Sequence, residues 1–155
     1  MQTSTPLHPE STAVQSYLTA LQGVITRMAT NSSNCKTLCV TIVAAILVVV
    51  ADKSKTSFTF VALLPILVLC FLDAYYLGLE QGFRCTYNDF VRKLRDGKAT
   101  IEDLYVIVPK NKVYPQDNFN PVMAAVGGFL SFAVWPFYST LTAILLLGYF
   151  FVFQH

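Results

Sequence analysis

Three long stretches of this chain carry no charged residue: Thr37 to Ala51, Thr56 to Leu72, and Asn118 to His155. Water-soluble folds place charge on every surface element, whereas uncharged apolar runs of about 17 to 25 residues mark helices that cross a bilayer. Bulk composition agrees, with 54% hydrophobic and 13% charged residues, the latter about half the share of an ordinary globular domain. A net charge of +2 gives no long-range field for nucleic acid. The chain reads as an all-α membrane protein.

The first run has 15 residues, about 22 Å as helix, short of a hydrocarbon core of about 30 Å. It spans if Lys36 snorkels and the neutral Asn31-Ser-Ser-Asn34 segment is partly immersed. Asp52-Lys-Ser-Lys55 reads as a tight polar turn. The second run carries Pro65, a residue that membrane helices tolerate and that often kinks them.

Outside these runs the apolar residues fall into two helical seams. Val14, Leu18, Leu21, Ile25 and Met28 share one stripe, on a helix starting near Ser11; Glu80, Phe83, Tyr87, Phe90 and Leu94 share another, ending at Asp96-Gly97. Around a turn near residue 54, antiparallel partners have numbers summing to about 108, which sets the two seams in register. The expectation is a long hairpin: two transmembrane helices that continue into a cytoplasmic stem. Arg27 and Lys36 before the first run, with Arg84, Arg92, Lys93, Arg95, Lys98, Lys110 and Lys112 after the second, outnumber Lys53 and Lys55 in the turn. The positive-inside rule therefore puts the stem and the N-terminus in the cytoplasm.

These readings divide the chain into an N-terminal tail and stem helix (1–36), a transmembrane hairpin (37–79), a second stem helix (80–97), a cytoplasmic insert with an interfacial segment (98–130) and a C-terminal transmembrane helix (131–153). In the insert, Leu104–Val108 suits a strand, and Thr100-Ile-Glu-Asp103 suits a capped helical turn. For the last segment one span is favoured, with Trp135, Phe137 and Tyr138 as interface anchors and an interfacial helix from Asn120 broken at Gly127-Gly128. The alternative has 121–134 dip in and return, with Pro136 at the turn. The N-terminus, MQTSTPLHPESTAVQ, has neither the basic nor the apolar region of a cleavable signal peptide.

No catalytic pattern is visible, so neither an enzyme nor a cofactor is expected. The two histidines, His8 and His155, stand at opposite ends, and no nucleophile elbow, phosphate loop or metal spacing occurs. The four cysteines (Cys35, Cys39, Cys70, Cys85) form no CxxC pair and read as reduced and structural. Gly78 and Gly82 are four apart, suiting close helix packing.

The informative residues are ionisable groups at membrane depth. Asp73 ends 17 uncharged residues, and such a carboxylate faces a partner or water. The hairpin register offers Lys36 to Asp73 and Arg27 to Glu80, two ion pairs locking stem to hairpin; Arg84 competes for Glu80 four residues on. The functional alternative is a ring of Asp73 and Glu80 around a symmetry axis, selecting cations, with Asn31, Ser32, Ser33 and Asn34 as a polar wall. Tyr75-Tyr76 reads as an interface belt. Arg92, Lys93, Arg95 and Lys98 form a basic cluster that fixes topology or binds anionic lipid or a nucleotide regulator.

Arg27-Met-Ala-Thr-Asn-Ser32, Lys36, Val40–Leu47, Leu72-Asp-Ala-Tyr-Tyr-Leu77, Glu80 and Phe83-Arg84 also resemble a family of small bacterial membrane effectors encoded in antiphage defence loci, the Hailong type. The resemblance covers residues 20–95 and leaves the C-terminal third unmatched. It implies a homo-oligomer, such as a tetramer, acting as a channel-like effector of the inner membrane. It also implies a nucleotidyltransferase partner, whose nucleotide or oligonucleotide product holds the channel closed until release depolarises the infected cell.

Overall fold

The computed structural model describes residues 7–50, 60–111 and 120–154. The expected turn at Asp52–Lys55 and the basic residue Lys112 lie outside them. Among the described residues all regular structure is helical. α1 covers Thr12–Val50, 39 residues, or about 58 Å. α2 covers Leu63–Arg95, α3 Pro121–Phe129 and α4 Trp135–Gln154. α1 and α2 are long and apolar enough to cross a membrane; the apolar part of α4, Trp135–Phe150, is shorter.

α1 runs unbroken through Asn31–Asn34, because tertiary contact on one face outweighs the weak helix preference of four polar residues. Pro65 sits in the first turn of α2, where its missing N–H has no intrahelical acceptor to lose, so it kinks nothing. Gly97 (φ 68°) ends α2, with Asp96 N–H donating to Arg92 O at 2.9 Å and Lys98 N–H to Lys93 O at 2.8 Å. This left-handed glycine closes the helix as the Asp96-Gly97 pair suggests.

α1 and α2 pack antiparallel along their length. Tyr17 meets Phe90 edge-on at 4.7 Å, Gln22 Nε2 donates to the Tyr87 hydroxyl at 3.2 Å, and Lys36 reaches Asp73. Each pair sums close to the register of about 108 expected for a hairpin turning near residue 54. The stem core differs from the seams at several positions: Tyr17 and Ala99 are buried in it, while Ile25, Met28 and Phe83 are half-buried outside it. Val14, Tyr17, Leu21 and Phe90 are buried, while Leu18, Tyr87 and Leu94 are partly so. Tyr17 enters the seam because a third layer covers it: its hydroxyl donates to Val106 O at 2.7 Å.

That layer is residues 99–111. A 3-10 turn, Ile101–Asp103, is closed by Asp103, whose Oδ2 accepts from the Thr100 N–H at 3.0 Å. Leu104–Val108 is no strand. Leu104 and Tyr105 turn, Tyr105 at φ 64°, and Val106–Lys110 runs back along α2 as a strap, Thr86 Oγ1 donating to Val108 O at 2.6 Å and Lys110 N–H to Gly82 O at 3.1 Å.

The C-terminal segment runs antiparallel to α2 in two pieces. Asn120 caps α3, its Oδ1 accepting from Val122 N–H at 3.0 Å and Met123 N–H at 3.3 Å. α3 then crosses α2 almost backbone to backbone. A Cβ on Gly78 would stand 2.4 Å from Ala124 O, and one on Gly128 2.1 Å from Ala74 O. Gly128 is therefore a contact rather than the expected break, which falls at 130–134. α4 continues in the same direction: Tyr138 hydroxyl donates to Leu69 O at 3.2 Å, and Tyr149 meets Phe60 at 5.4 Å. The chain does not dip and return, and Pro136 stands in the first turn of α4. A second core gathers Cys35, Cys39 and Val43 of α1, Ile66, Leu69 and Cys70 of α2, and Val134, Tyr138 and Leu145.

Candidate functional site

The most unusual group in this core is a charge. Asp73 is 0% exposed, on α2 where the apolar run meets the stem. Ser32 Oγ donates to its Oδ1, and Lys36 Nζ lies 2.5 Å from its Oδ2 and 3.3 Å from Ser32 Oγ. Ser32 and Lys36 are one turn apart on α1, so both reach the same point of α2. The Lys36 contact compensates charge without hydrogen-bond geometry, leaving Oδ2 with no hydrogen-bond donor among the described residues. The Lys36 side chain keeps 24% exposure, so its stem lies on apolar surface while its head touches both the carboxylate and the outside. Removing Lys36 leaves this carboxylate buried without a counter-ion.

The remaining expected residues separate. Glu80 pairs with Arg84, Nε to Oε1 at 2.7 Å, not with Arg27. Arg27 is exposed and has no ion-pair partner among the described residues; a partner four residues away on the same helix needs no tertiary alignment and wins. Neither Asp73 nor Glu80 faces outward as a pore ring of this protomer needs. Asn31 is half-buried and Asn34 exposed.

Most of the basic cluster is already engaged. Arg92 Nη2 is 2.5 Å from Asp89 Oδ1, and Lys93 Nζ is 2.7 Å from Asp103 Oδ1. Lys110 Nζ lies 2.5 Å from Asp89 Oδ2, tying the strap to α2. Partial burial pushes the Asp89 and Asp103 carboxyls up, but the hydrogen bonds from Lys110, Arg92 and Lys93 prevail, and both sit below the usual carboxylate range. Arg95 is 3.8 Å from Asp96, and Lys98 is exposed with no ion pair among the described residues.

The Lys110–Asp89 and Lys93–Asp103 pairs are not signalled by the linear sequence, since Lys110 and Asp103 lie on a segment without helical or strand period. The α2–α3 crossing did carry a signal: Ala74-x-x-x-Gly78 and Ala124-x-x-x-Gly128 share the small-residue spacing that lets helices approach. Compared with protein-family models, curated proteins and solved structures, the chain matches none. The described residues hold no cluster of three or more His, Cys, Asp or Glu able to bind a metal. Fold and site together define a class: an all-helical protein whose two longest helices can cross a membrane and meet at a buried ion pair.

Proposed function

We propose that this chain is a homo-oligomeric, non-enzymatic membrane effector of bacterial antiphage defence. It spans the inner membrane several times with its N-terminus in the cytoplasm, and opens an ion-conducting pore that depolarises the cell. The observation that carries the reading is the Asp73–Lys36–Ser32 cluster. It joins the two long helices at the level where their apolar halves pass into the polar stem, so relative motion of the stem helices acts directly on the packing of the membrane half. Among the described residues one protomer packs its core with side chains, so this reading has conduction require several copies about an axis.

The trigger follows from the resemblance of residues 20–95 to Hailong-type effectors: release of a nucleotide or oligonucleotide made by a partner nucleotidyltransferase. Of the four basic candidates, Arg95 and Lys98 remain exposed for an acidic regulator, whereas Arg92 and Lys93 are occupied by Asp89 and Asp103. The test is membrane potential, read with a voltage-sensitive dye in bacteria expressing the chain with its neighbouring genes during phage infection. Depolarisation that depends on the chain supports the reading; an unchanged potential with the chain assembled in the membrane refutes it.

A second reading has its own observation. Ile101, Tyr105, Val106, Ile107 and Val108 are exposed on the strap, away from the apolar halves of the helices. A non-conducting anchor that recruits a soluble partner through this edge uses the same fold.

A further inference from the structure

The outward faces of the long helices differ in one feature. On α2 the exposed side chains beside the core are Leu64, Leu67, Val68 and Phe71, and on α4 Ile144, Leu147 and Phe150. These are the large apolar groups expected against acyl chains. α1 is different. Opposite its buried face of Cys35, Cys39 and Val43 runs an exposed stripe of hydroxyl and amide side chains, recurring every three or four residues into the apolar run.

We infer that this stripe (Thr26, Thr30, Ser33, Asn34, Thr37 and Thr41) is the surface on which copies of the chain meet, and that it lines their shared ion path. The inference rests on the pore reading above and replaces an acidic ring by a neutral lining.

Three observations commit the stripe to a second copy. Thr37 and Thr41 return their hydroxyls to Ser33 O at 3.3 Å and Thr37 O at 2.9 Å, but the side chains of Thr26, Thr30, Ser33 and Asn34 have no hydrogen-bond partner among the described residues. Ser33 and Asn34 stand beside Ser32, at the level of buried Asp73 where the stem passes into the apolar run, and Thr37 and Thr41 carry the stripe on into that run, where lipid tails supply neither donor nor acceptor. A soluble partner cannot follow the stripe to Thr41 inside the apolar run. Finally, only 22% of the most apolar stretch of α1 is buried within the protomer, against 33% for α2, so α1 is the long helix with more surface left to cover. Rotational symmetry brings identical stripes together at identical depth, and each copy then offers the hydroxyls and amides that the other lacks.

The chemistry of the lining sets the ligand class. Hydroxyl and amide dipoles solvate small hydrated ions of either sign, and the stripe holds no fixed charge. Arg27 flanks only its stem end. Weak selectivity is therefore expected, in place of the cation preference of a carboxylate ring.

The test uses single cysteines in the full chain reconstituted in liposomes, with the four native cysteines replaced by alanine or serine. Thr37→Cys and Thr41→Cys are near-isosteric changes on an exposed face; Leu67→Cys is the control on α2. Mild oxidation should give disulfide-linked dimers at 37 and 41 and none at 67. A water-soluble cationic methanethiosulfonate should modify 37 and 41 and cut ion flux several-fold. Dimers through Leu67→Cys with none at 37 or 41 overturn the inference, as does flux indifferent to the reagent at both positions, which leaves the pore reading standing. Dimers at 37 and 41 with no flux under any trigger keep the self-contact but refute the ion path and the pore reading together.

Discussion

Removing either partner of the Lys36–Asp73 pair should have very unequal consequences. Asp73 is 0% exposed, and among the described residues its Oδ2 has Lys36 as its one ion-pair partner and no hydrogen-bond donor. Lys36→Met strands a carboxylate in an apolar core with one serine hydroxyl, a loss of about 3–5 kcal/mol. Asp73→Asn keeps a polar group on Ser32 and leaves an ammonium that is already 24% exposed and can swing to water, at about 1–2 kcal/mol. The double change Lys36→Met with Asp73→Leu removes both charges and should recover most of the loss, because apolar replacement of a buried pair is often neutral. Thermal unfolding of the detergent-solubilised protein reads this as a drop of about 10 °C for Lys36→Met, at about 2–4 °C per kcal/mol, and a few degrees for Asp73→Asn. Equal drops for the two single variants, or a double variant whose loss is the sum of both, would refute the assignment of the pair as a coupled buried unit.

Gly78→Val and Gly128→Val should each detach α3, since even the first added carbon meets backbone at 2.4 Å and 2.1 Å. A cost of about 2–3 kcal/mol is expected, read as new protease cleavage within residues 120–134 and a lower unfolding temperature. Tyr17→Phe removes the hydroxyl on Val106 O and should weaken the strap by about 1 kcal/mol, seen as roughly fivefold faster amide exchange over 104–110. The strap should also loosen in acid. Asp89 and Asp103 have native carboxyls held below their ordinary value of 3.8, so their stabilisation is complete above that value and is lost as pH falls through the lower native one. Protection of the strap amides, taken relative to the intrinsic exchange rate at each pH, should therefore fall below about pH 4 and stay flat from pH 5 to 8. Unchanged protection at pH 3 would contradict these ion pairs.

The hairpin was legible because it is written twice, in uncharged runs that mark where apolar packing must occur and in seams whose 3.6-residue period fixes which faces meet. Lys36 opposite Asp73 followed from that register alone. The pairing of Arg27 with Glu80 did not follow, because the register says which residues lie level and nothing about the closer Arg84 on the same helix. Tyr17 escaped the seam since its burial comes from the strap, a segment with no period to read. The break in the C-terminal segment was misplaced by two or more residues because a glycine serves equally as a helix end and as a site of close approach. Here the backbone of Ala74 chose the latter for Gly128. Finally, the outward polar face of α1 was visible as composition, but its meaning depended on knowing which face the core had already taken.

The central claim is conduction by an assembly of copies. Purified chain reconstituted into liposomes holding a potassium diffusion potential set by valinomycin, read with a voltage-sensitive dye, tests it most directly, with the oligomer's mass measured on the same preparation. Dissipation of the potential by a defined oligomer, lost on chemical modification of Thr37→Cys, is the expected result. A defined oligomer that holds the gradient intact with and without the candidate nucleotide regulator contradicts it and leaves the anchor reading in its place.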